Sequence, residues 1–466
     1  MLYAFRLFVV GLIMAGSSTF CLAEGLAPDQ DQAVVDWLKA DRSARADLDA
    51  LGLPTGLDKQ QSEQCHKGLW ELYRAHVRDP ELGELPMSLQ EAIAKAEGGR
   101  VSLQGGQLKL GHDLAMPYAL IRKEKNEPAE AGRALFICTH GGGGKGDAPG
   151  PHAWDINTRE WQTQVKFAAG LYEPEGIYFV PRMADDRKGR WFHGFNQDAF
   201  ERVITHAIAH WGVDSNRVYK LGISQGGFGT NKLVSYMPDR FAGANPMAGG
   251  VSPDQHPPVN LRNVAFRNDV GEKDTMFERV GNAIKFHDRL DALHAADPDG
   301  YVHTINVQKG RGHAIDYRPG VSWIAQHKRN PWPSKLVWDN RELGGKRRVR
   351  HYWIETVGEV PAGRVKITAQ ADRENNTIRI VATHRPVRPK GEEGDQLPVG
   401  GLKGISLRVL LHDDLLDLDQ PVRVIVNDTE VHNGPVPRRV AVQLATLADY
   451  GDPAMAASAE LVFALD

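Results

Sequence analysis

The sequence predicts an α/β protein: a mostly parallel sheet with helices on both faces, preceded by a helical segment and followed by an all-β, sandwich-like domain. Three observations predict it. Between residues 101 and 335, short continuous apolar runs alternate with helix-like stretches, the texture of a sheet covered on both sides. One junction in that region, Lys220-Leu-Gly-Ile-Ser-Gln-Gly-Gly-Phe-Gly229, sets Gly-x-Ser-x-Gly between a strand-like run and a helix-like one. After Arg329-Asn-Pro-Trp-Pro-Ser334 the strand-like runs recur without a long helix between them.

The candidate strands of the first region are Gln107–Leu110, Pro117–Arg122, Ala134–Thr139, Gly176–Val180, Arg217–Gly222, Phe241–Ala248, Val264–Asn268 and Tyr301–Val307. Helices are expected over Gln197–Trp211, Gly227–Met237, Met276–Ala295 and Val321–Arg329. In Gln197–Trp211, Phe200, Val203, Ile204, Ala207, Ile208 and Trp211 fall on one face, the spacing of a helix laid on a core. Residues 24–100 read as a helical prelude packed on this domain, with Ala33–Leu38 and Leu69–Tyr73 at helical spacing. Residues 336–466 read as the β-sandwich, with strands at Tyr352–Val357, Arg364–Gln370, Ile378–Ala382, Ile405–Leu411, Val422–Val426, Arg439–Leu444 and Ala459–Phe463. The basic run Lys346–His351 reads as a solvated face, and Pro386–Gly401 as an exposed loop.

At 466 residues the chain is long for one core, and two domains are the natural division. A net charge of −3 offers no electrostatic case for nucleic acid or for an anionic membrane surface. Residues 1–23 read as a secretory signal: Arg6, an apolar run Leu7–Ala15, then Cys21-Leu22-Ala23 as the cleavage site. That implies a periplasmic or extracellular protein. The alternatives are a membrane anchor, for which the run is short, and lipidation of Cys21, for which Ser18-Thr19-Phe20 is a poor signal. No later stretch is apolar enough to span a bilayer. Cys65 and Cys138 remain; a disulfide is open to an exported protein, but two free thiols are the preferred reading.

A serine attacks a carbonyl carbon at neutral pH only with a base to take its proton, a carboxylate to orient the base and donors for the oxyanion. The chain supplies each. Ser224 stands in the glycine-flanked turn. Strand Ala134–Thr139 runs into His140-Gly141-Gly142-Gly143-Gly144, whose backbone N–H groups can approach an oxyanion unobstructed; the N–H of Gln225 is the second donor. Lys145 follows these glycines, but Gly146 breaks the phosphate-loop pattern. His140 itself is read as structural. Asp274, in the turn after Val264–Asn268, is the chosen acid, with Asp269 and Glu272 as alternatives. His313, in the glycine-rich loop after Tyr301–Val307, is the base, completing the chain order Ser…Asp…His. Arg182, Trp191 and His193 lie in the segment after Gly176–Val180 and are candidate substrate contacts; plain packing of Trp191 is the alternative.

His140–Gly144, Gly222-Ile-Ser-Gln-Gly-Gly-Phe-Gly229, Gly271-Glu-Lys-Asp274 and Gly312-His313 together resemble the α/β-hydrolase superfamily. The nearest branch is that of secreted bacterial esterases similar to polyhydroxybutyrate-depolymerase-like, feruloyl-esterase-like and predicted-peptidase proteins. The resemblance covers residues 101–335; Gln225 departs from the Met, Ala or Gly more usual after the serine. It implies an α/β-hydrolase fold and an acyl-enzyme mechanism acting on a small-molecule or polymer ester, with no cofactor. A serine peptidase of prolyl-oligopeptidase type and a non-catalytic binding protein on the same scaffold are the alternatives.

Overall fold

The computed structural model describes residues 25–95, 102–111, 113–124, 130–387 and 398–465. The expected signal segment, residues 1–23, and most of the loop expected at Pro386–Gly401 lie outside the described residues. No helix among the described residues is long and apolar enough to cross a membrane.

Eight strands form the central sheet: β1 (Gln104–Lys109), β2 (Ala115–Lys123), β3 (Arg133–Thr139), β4 (Gly176–Pro181), β5 (Val213–Ile223), β6 (Gly243–Met247), β7 (Ala265–Gly271) and β8 (His303–Gln308). Their spatial order is β1-β2-β4-β3-β5-β6-β7-β8. The β1–β2 and β2–β4 pairs are antiparallel and every later pair is parallel.

Nine helices accompany the strands among the described residues. They are α1 (Pro28–Lys39), α2 (Lys59–His76), α3 (Leu89–Ala94), α4 (Asp155–Gly170), α5 (Gly194–His210), α6 (Gln225–Tyr236), α7 (Arg279–Ala296), α8 (Arg318–Ile324) and α9 (Val440–Tyr450). Because side chains alternate along a strand, Leu135 and Ile137 of β3 face one layer while Phe136 and Cys138 face the other. The first layer packs Phe200 and Val203 of α5, Leu233 of α6 and Phe286 of α7; the second packs Ala168 of α4 and Val321 and Ile324 of α8. Burial on both faces is why these strands read as unbroken apolar runs. Helix α4 is missing from the sequence reading; its inward face mixes the buried polar Asn157 and Gln164 with Trp161, Val165 and Ala168, which weakens the apolar period.

The C-terminal region is β-rich. One sheet runs through Lys335–Asn340, Gly363–Asp372, Thr377–Pro386, Val422–Val426 and Thr429–Gly434; the other through Arg350–His351, Ile354–Val357, Ile405–Leu411 and Ala459–Leu465. Two expectations fail here. Arg439–Leu444, expected as a strand, opens helix α9 instead. Its Val440, Leu444 and Leu447 share a helical face and meet Val34, Leu38, Leu69 and Leu72 of α1 and α2, while Val442 turns into the sandwich core. Six residues of alternating apolar character cannot distinguish these outcomes without the partner. The N-terminal helices therefore dock on the C-terminal helix as well as on the end of α5, at Ala209.

The second failure is the basic run. Arg350 is buried, and Arg348 pairs with Glu201 at 2.8 Å and with Asp239 at 3.2 Å. The Arg240 and Arg350 guanidinium groups stack on Tyr450 at 3.9 and 4.0 Å from its ring centre. The run is thus the charged seam between the central sheet's helices and the β-rich region. Cys65 and Cys138 are both free and buried.

Candidate active site

The sheet's strand order reverses between β4-β3 and β5, and the carboxyl ends of neighbouring strands there make the natural crevice. Register puts Thr139 of β3 opposite Gly222 of β5, so the loop that leaves β3 and the turn that leaves β5 are neighbours. Gly271 of β7 pairs with Gln308 of β8 in the same way, which brings the loops carrying Asp274 and His313 together.

Ser224 joins β5 to α6 at φ 54, ψ −112, a conformation that costs a non-glycine residue about 1–3 kcal/mol. The turn is held by the Ser224 N–H donating to the Met247 carbonyl at 2.9 Å and the Phe228 N–H donating to the Ser224 carbonyl at 3.0 Å. A Cβ at Gly226 would lie 2.2 Å from the Thr139 carbonyl oxygen, so only glycine lets the elbow approach β3 this closely. Beneath the turn Lys220 is fully buried; its ammonium donates to Thr139 Oγ1 at 2.6 Å, the Leu221 carbonyl at 3.0 Å and Thr230 Oγ1 at 3.3 Å. No carboxylate among the described residues pairs with it, and burial pushes its pKa down to about 7.

The glycine loop stands directly beside the elbow. A Cβ on Gly141 would meet Ser224 Cβ at 3.4 Å. Gly142 has φ +88, and its α-carbon is pressed so close to Asn157 that a Cβ would lie 2.1 Å from Asn157 Oδ1. The N–H groups of Gly141 and Gly142 donate to no protein acceptor among the described residues. The Gln225 N–H, first in α6, lacks an intrahelical acceptor. His140 orders the loop from below: the Met183 N–H donates to Nε2 at 2.9 Å, so Nδ1 carries the proton and donates to the Gly141 carbonyl at 2.7 Å. Burial drops the His140 pKa to about 3, which fixes this neutral tautomer.

Asn157, from the unforeseen helix α4, clamps Gly143 by accepting from its N–H at 3.1 Å and donating to its carbonyl at 2.9 Å. Asn157 also donates to Asp186 at 2.7 Å. Arg182 in turn grips Asp186 with two bonds of 2.6 and 2.8 Å. Burial alone would raise the Asp186 pKa, but hydrogen bonds from Arg182, Asn157 and the Trp154 N–H hold it low. Nothing in the sequence marks Asn157 or Asp186, since they meet only through folding.

His313 Nδ1–H donates to Asp274 Oδ2 at 2.7 Å, and Arg279 Nη1 donates to the other carboxylate oxygen at 2.9 Å. Asp274 is buried while the His313 side chain is 46% exposed, leaving Nε2 as the ring's free acceptor. The Ser224 hydroxyl makes no hydrogen bond to a protein group among the described residues, so the serine–histidine link is not formed; such bonds are commonly long before substrate arrives. The alternative acids stand elsewhere. Asp269 is enclosed by Arg267, Asn245 and Asn306, with hydrogen bonds of 2.7 to 3.0 Å. Glu272 accepts from the Gly310 N–H at 2.8 Å.

Two of the expected substrate contacts need correction. Arg182 is buried and committed to Asp186. Trp191 is fully buried, its Nε1–H donating to the His140 carbonyl at 3.1 Å. Both prop the loop from beneath because their polar atoms are consumed by protein partners. His193 alone of the three remains partly accessible, capping α5 between Phe192 and Phe195.

A cavity of about 410 Å³ opens beside the elbow, walled by Phe228, Val251 and Phe277 with Lys232, His256 and Lys285 around it. A larger one, about 750 Å³, lies between α5 and the segment Lys346–Arg350, and neither the elbow, the glycine loop nor His313 lines it. Ser224, Gln225, the glycine loop and His313 line neither cavity; the smaller comes nearer the elbow through Phe228, whose N–H donates to the Ser224 carbonyl.

Strand order β1-β2-β4-β3-β5-β6-β7-β8, with the serine turn after β5 and the acid and histidine loops after β7 and β8, defines an α/β-hydrolase fold. No family model matches the chain. No curated protein matches it either. Among solved structures it is similar to a thermostable esterase at 18% identity, covering 48% of this chain and 59% of that one, with a TM-score of 0.34. It is similar also to a putative dipeptidyl aminopeptidase IV from Bacteroides ovatus, at 16% identity over 48% of this chain and 34% of that one, TM-score 0.34. A third likeness is to LpqC, a poly(3-hydroxybutyrate) depolymerase from Bordetella parapertussis, at 15% identity over 48% and 88% of the two chains, TM-score 0.34. The chain thus spans less than two thirds of the esterase and about a third of the aminopeptidase.

Proposed function

We infer that the chain is an exported serine hydrolase that cleaves carboxylic esters through Ser224, His313 and Asp274. The observation that supports it is the 2.7 Å His313–Asp274 hydrogen bond at the same sheet edge as a serine in a strained elbow. In this reading His313 Nε2 takes the Ser224 proton as the serine oxygen attacks the ester carbonyl. The tetrahedral oxyanion receives the N–H groups of Gly141, Gly142 and Gln225. His313 then protonates the leaving alcohol, and a water activated by the same nitrogen releases the acid from Ser224.

A fluorophosphonate probe tests the reading: it labels the intact protein, and Ser224→Ala abolishes labelling. An unlabelled wild type would sink the proposal. Paired p-nitrophenyl esters and aminoacyl p-nitroanilides of matched acyl group distinguish esterase from peptidase. The export part rests on residues 1–23 alone. Amino-terminal sequencing of protein recovered from the periplasm or medium tests it, with Glu24 expected as the first residue.

A further inference from the structure

The segment Lys188–Gly194 lies against the glycine loop and the elbow on one side. Trp191 donates to the His140 carbonyl at 3.1 Å, and Arg190 Nη1 donates to Gln225 Oε1 at 3.3 Å. Gly189 touches the loop so closely that a Cβ there would lie 2.1 Å from Gly144 Cα. The positions of His140, Gly144 and Gln225 therefore depend on where this segment sits.

Its other side is held by the C-terminal region. The short hairpin Glu342–Leu343/Lys346–Arg347 projects back onto α5. The Gly194 N–H donates to the Gly344 carbonyl at 3.0 Å. Gln197 Nε2 bridges the two parts, donating to Leu343 O at 2.7 Å and Phe192 O at 2.9 Å. Gly344 has φ +62, and a Cβ there would stand 2.0 Å from the Phe192 carbonyl oxygen. The root of the hairpin is fixed in turn: the Asp339 N–H donates to Asn260 Oδ1 at 2.6 Å, and Asn260 Nδ2 donates to the Asp339 carbonyl at 3.2 Å.

We propose that the hairpin Glu342–Arg347 of the C-terminal region is a positioning element for the oxyanion donors, acting through Lys188–Gly194 on the glycine loop and Gln225. The proposal rests on the serine-hydrolase reading above. The β-rich region then does more than accompany the catalytic sheet, because it buttresses the wall on which transition-state charge is stabilised. Small displacements of such donors cost far more in turnover than in ground-state binding.

The test uses full-length Gly344→Val, which drives a side chain into the Phe192 carbonyl, and the milder Gln197→Ala. Each is assayed for kcat and KM on p-nitrophenyl acetate, for affinity toward a trifluoromethyl ketone that fills the oxyanion site, and for melting temperature. The expected result is a kcat lowered by about tenfold to a hundredfold with KM within about twofold, and ketone affinity lowered in parallel with kcat. If Gly344→Val does not fold, Gln197→Ala decides with the same readouts. A folded variant with unchanged kcat, or one whose whole loss lies in KM, overturns the positioning role. In that case a wild type still labelled at Ser224 shows that the hydrolase reading survives, whereas an unlabelled wild type removes both.

Discussion

Asp274 and His313 are joined by a 2.7 Å hydrogen bond although 39 residues separate them, because β7 and β8 end side by side. The second oxygen of Asp274 is held by Arg279, so the carboxylate has one orientation in which to receive the ring. The contrast with Asp269, five residues earlier and equally buried, is what makes the assignment testable.

Asp274→Asn is expected to lower kcat by roughly 10⁴-fold, through the wrong histidine tautomer, while the protein stays folded. Asp269→Asn is expected to keep the turnover of its folded fraction while losing about 3 kcal/mol of stability from the unpaired Arg267, a loss of the kind that unpairing Arg279 also brings to Asp274→Asn, so turnover is what distinguishes the two. Steady-state kinetics with urea unfolding on both variants separates the two, and the opposite pattern would exchange their roles.

Lys220 predicts a pH dependence of stability. Its pKa is pushed down to about 7 in the fold, from an unfolded value near 10.4. Between those values the unfolded chain holds a proton that the folded chain has released. Stability therefore rises with pH from about 7 to about 10, and the cost of burying the ammonium is fully present below that window. Urea unfolding of wild type and Lys220→Met at pH 7 and 9.5 should show the difference moving in favour of the wild type at the higher pH. A pH-independent difference would contradict the assignment.

Four buried histidines predict the acid limb. Burial lowers His140 and His287 to about 3 and His206 and His351 to about 4. Each is a base whose folded pKa lies below the unfolded value of about 6.5, so the unfolded chain takes up protons first as pH falls. Stability is full above about pH 6.5 and declines from there toward pH 3 to 4. Replacing His287, whose two ring nitrogens have no hydrogen-bond partner among the described residues, with Phe should flatten part of that decline in a melting-temperature series.

Arg329 and Asp452 pair at 2.6 Å with both side chains buried, tying the segment after α8 to the turn that follows α9. Burial alone would raise the Asp452 carboxyl, but Arg329 and Arg240 hold it low. Arg329→Met leaves that charge without its main partner and is expected to cost about 3–5 kcal/mol. Chemical denaturation followed by tryptophan fluorescence measures it, and a loss under about 1 kcal/mol would show the pair to be dispensable.

The sheet was legible in the sequence because its central strands are buried on both faces and its strands are punctuated by glycine and proline. Every expected strand of residues 101–335 lies within a few residues of an observed one. Helix α4 and helix α9 were not legible, the first because Asn157 and Gln164 interrupt the apolar period of its inward face and the second because its window fits two periods. The basic run Lys346–His351 was misread as solvated, since its acidic partners Glu201 and Asp239 lie more than 100 residues away.

What the sequence by itself determined is local: a serine between glycines that only a sharp turn uses, a run of glycines after a strand, and the chain order of an acid and a histidine. Which aspartate meets His313, which side chains prop the glycine loop and why the C-terminal hairpin touches its wall were decided by tertiary structure alone. The reason is physical. Propensity and periodicity act over a few residues, whereas hydrogen bonds such as Gln197–Leu343 and Arg182–Asp186–Asn157 exist only once strand order has brought distant loops to one edge of the sheet.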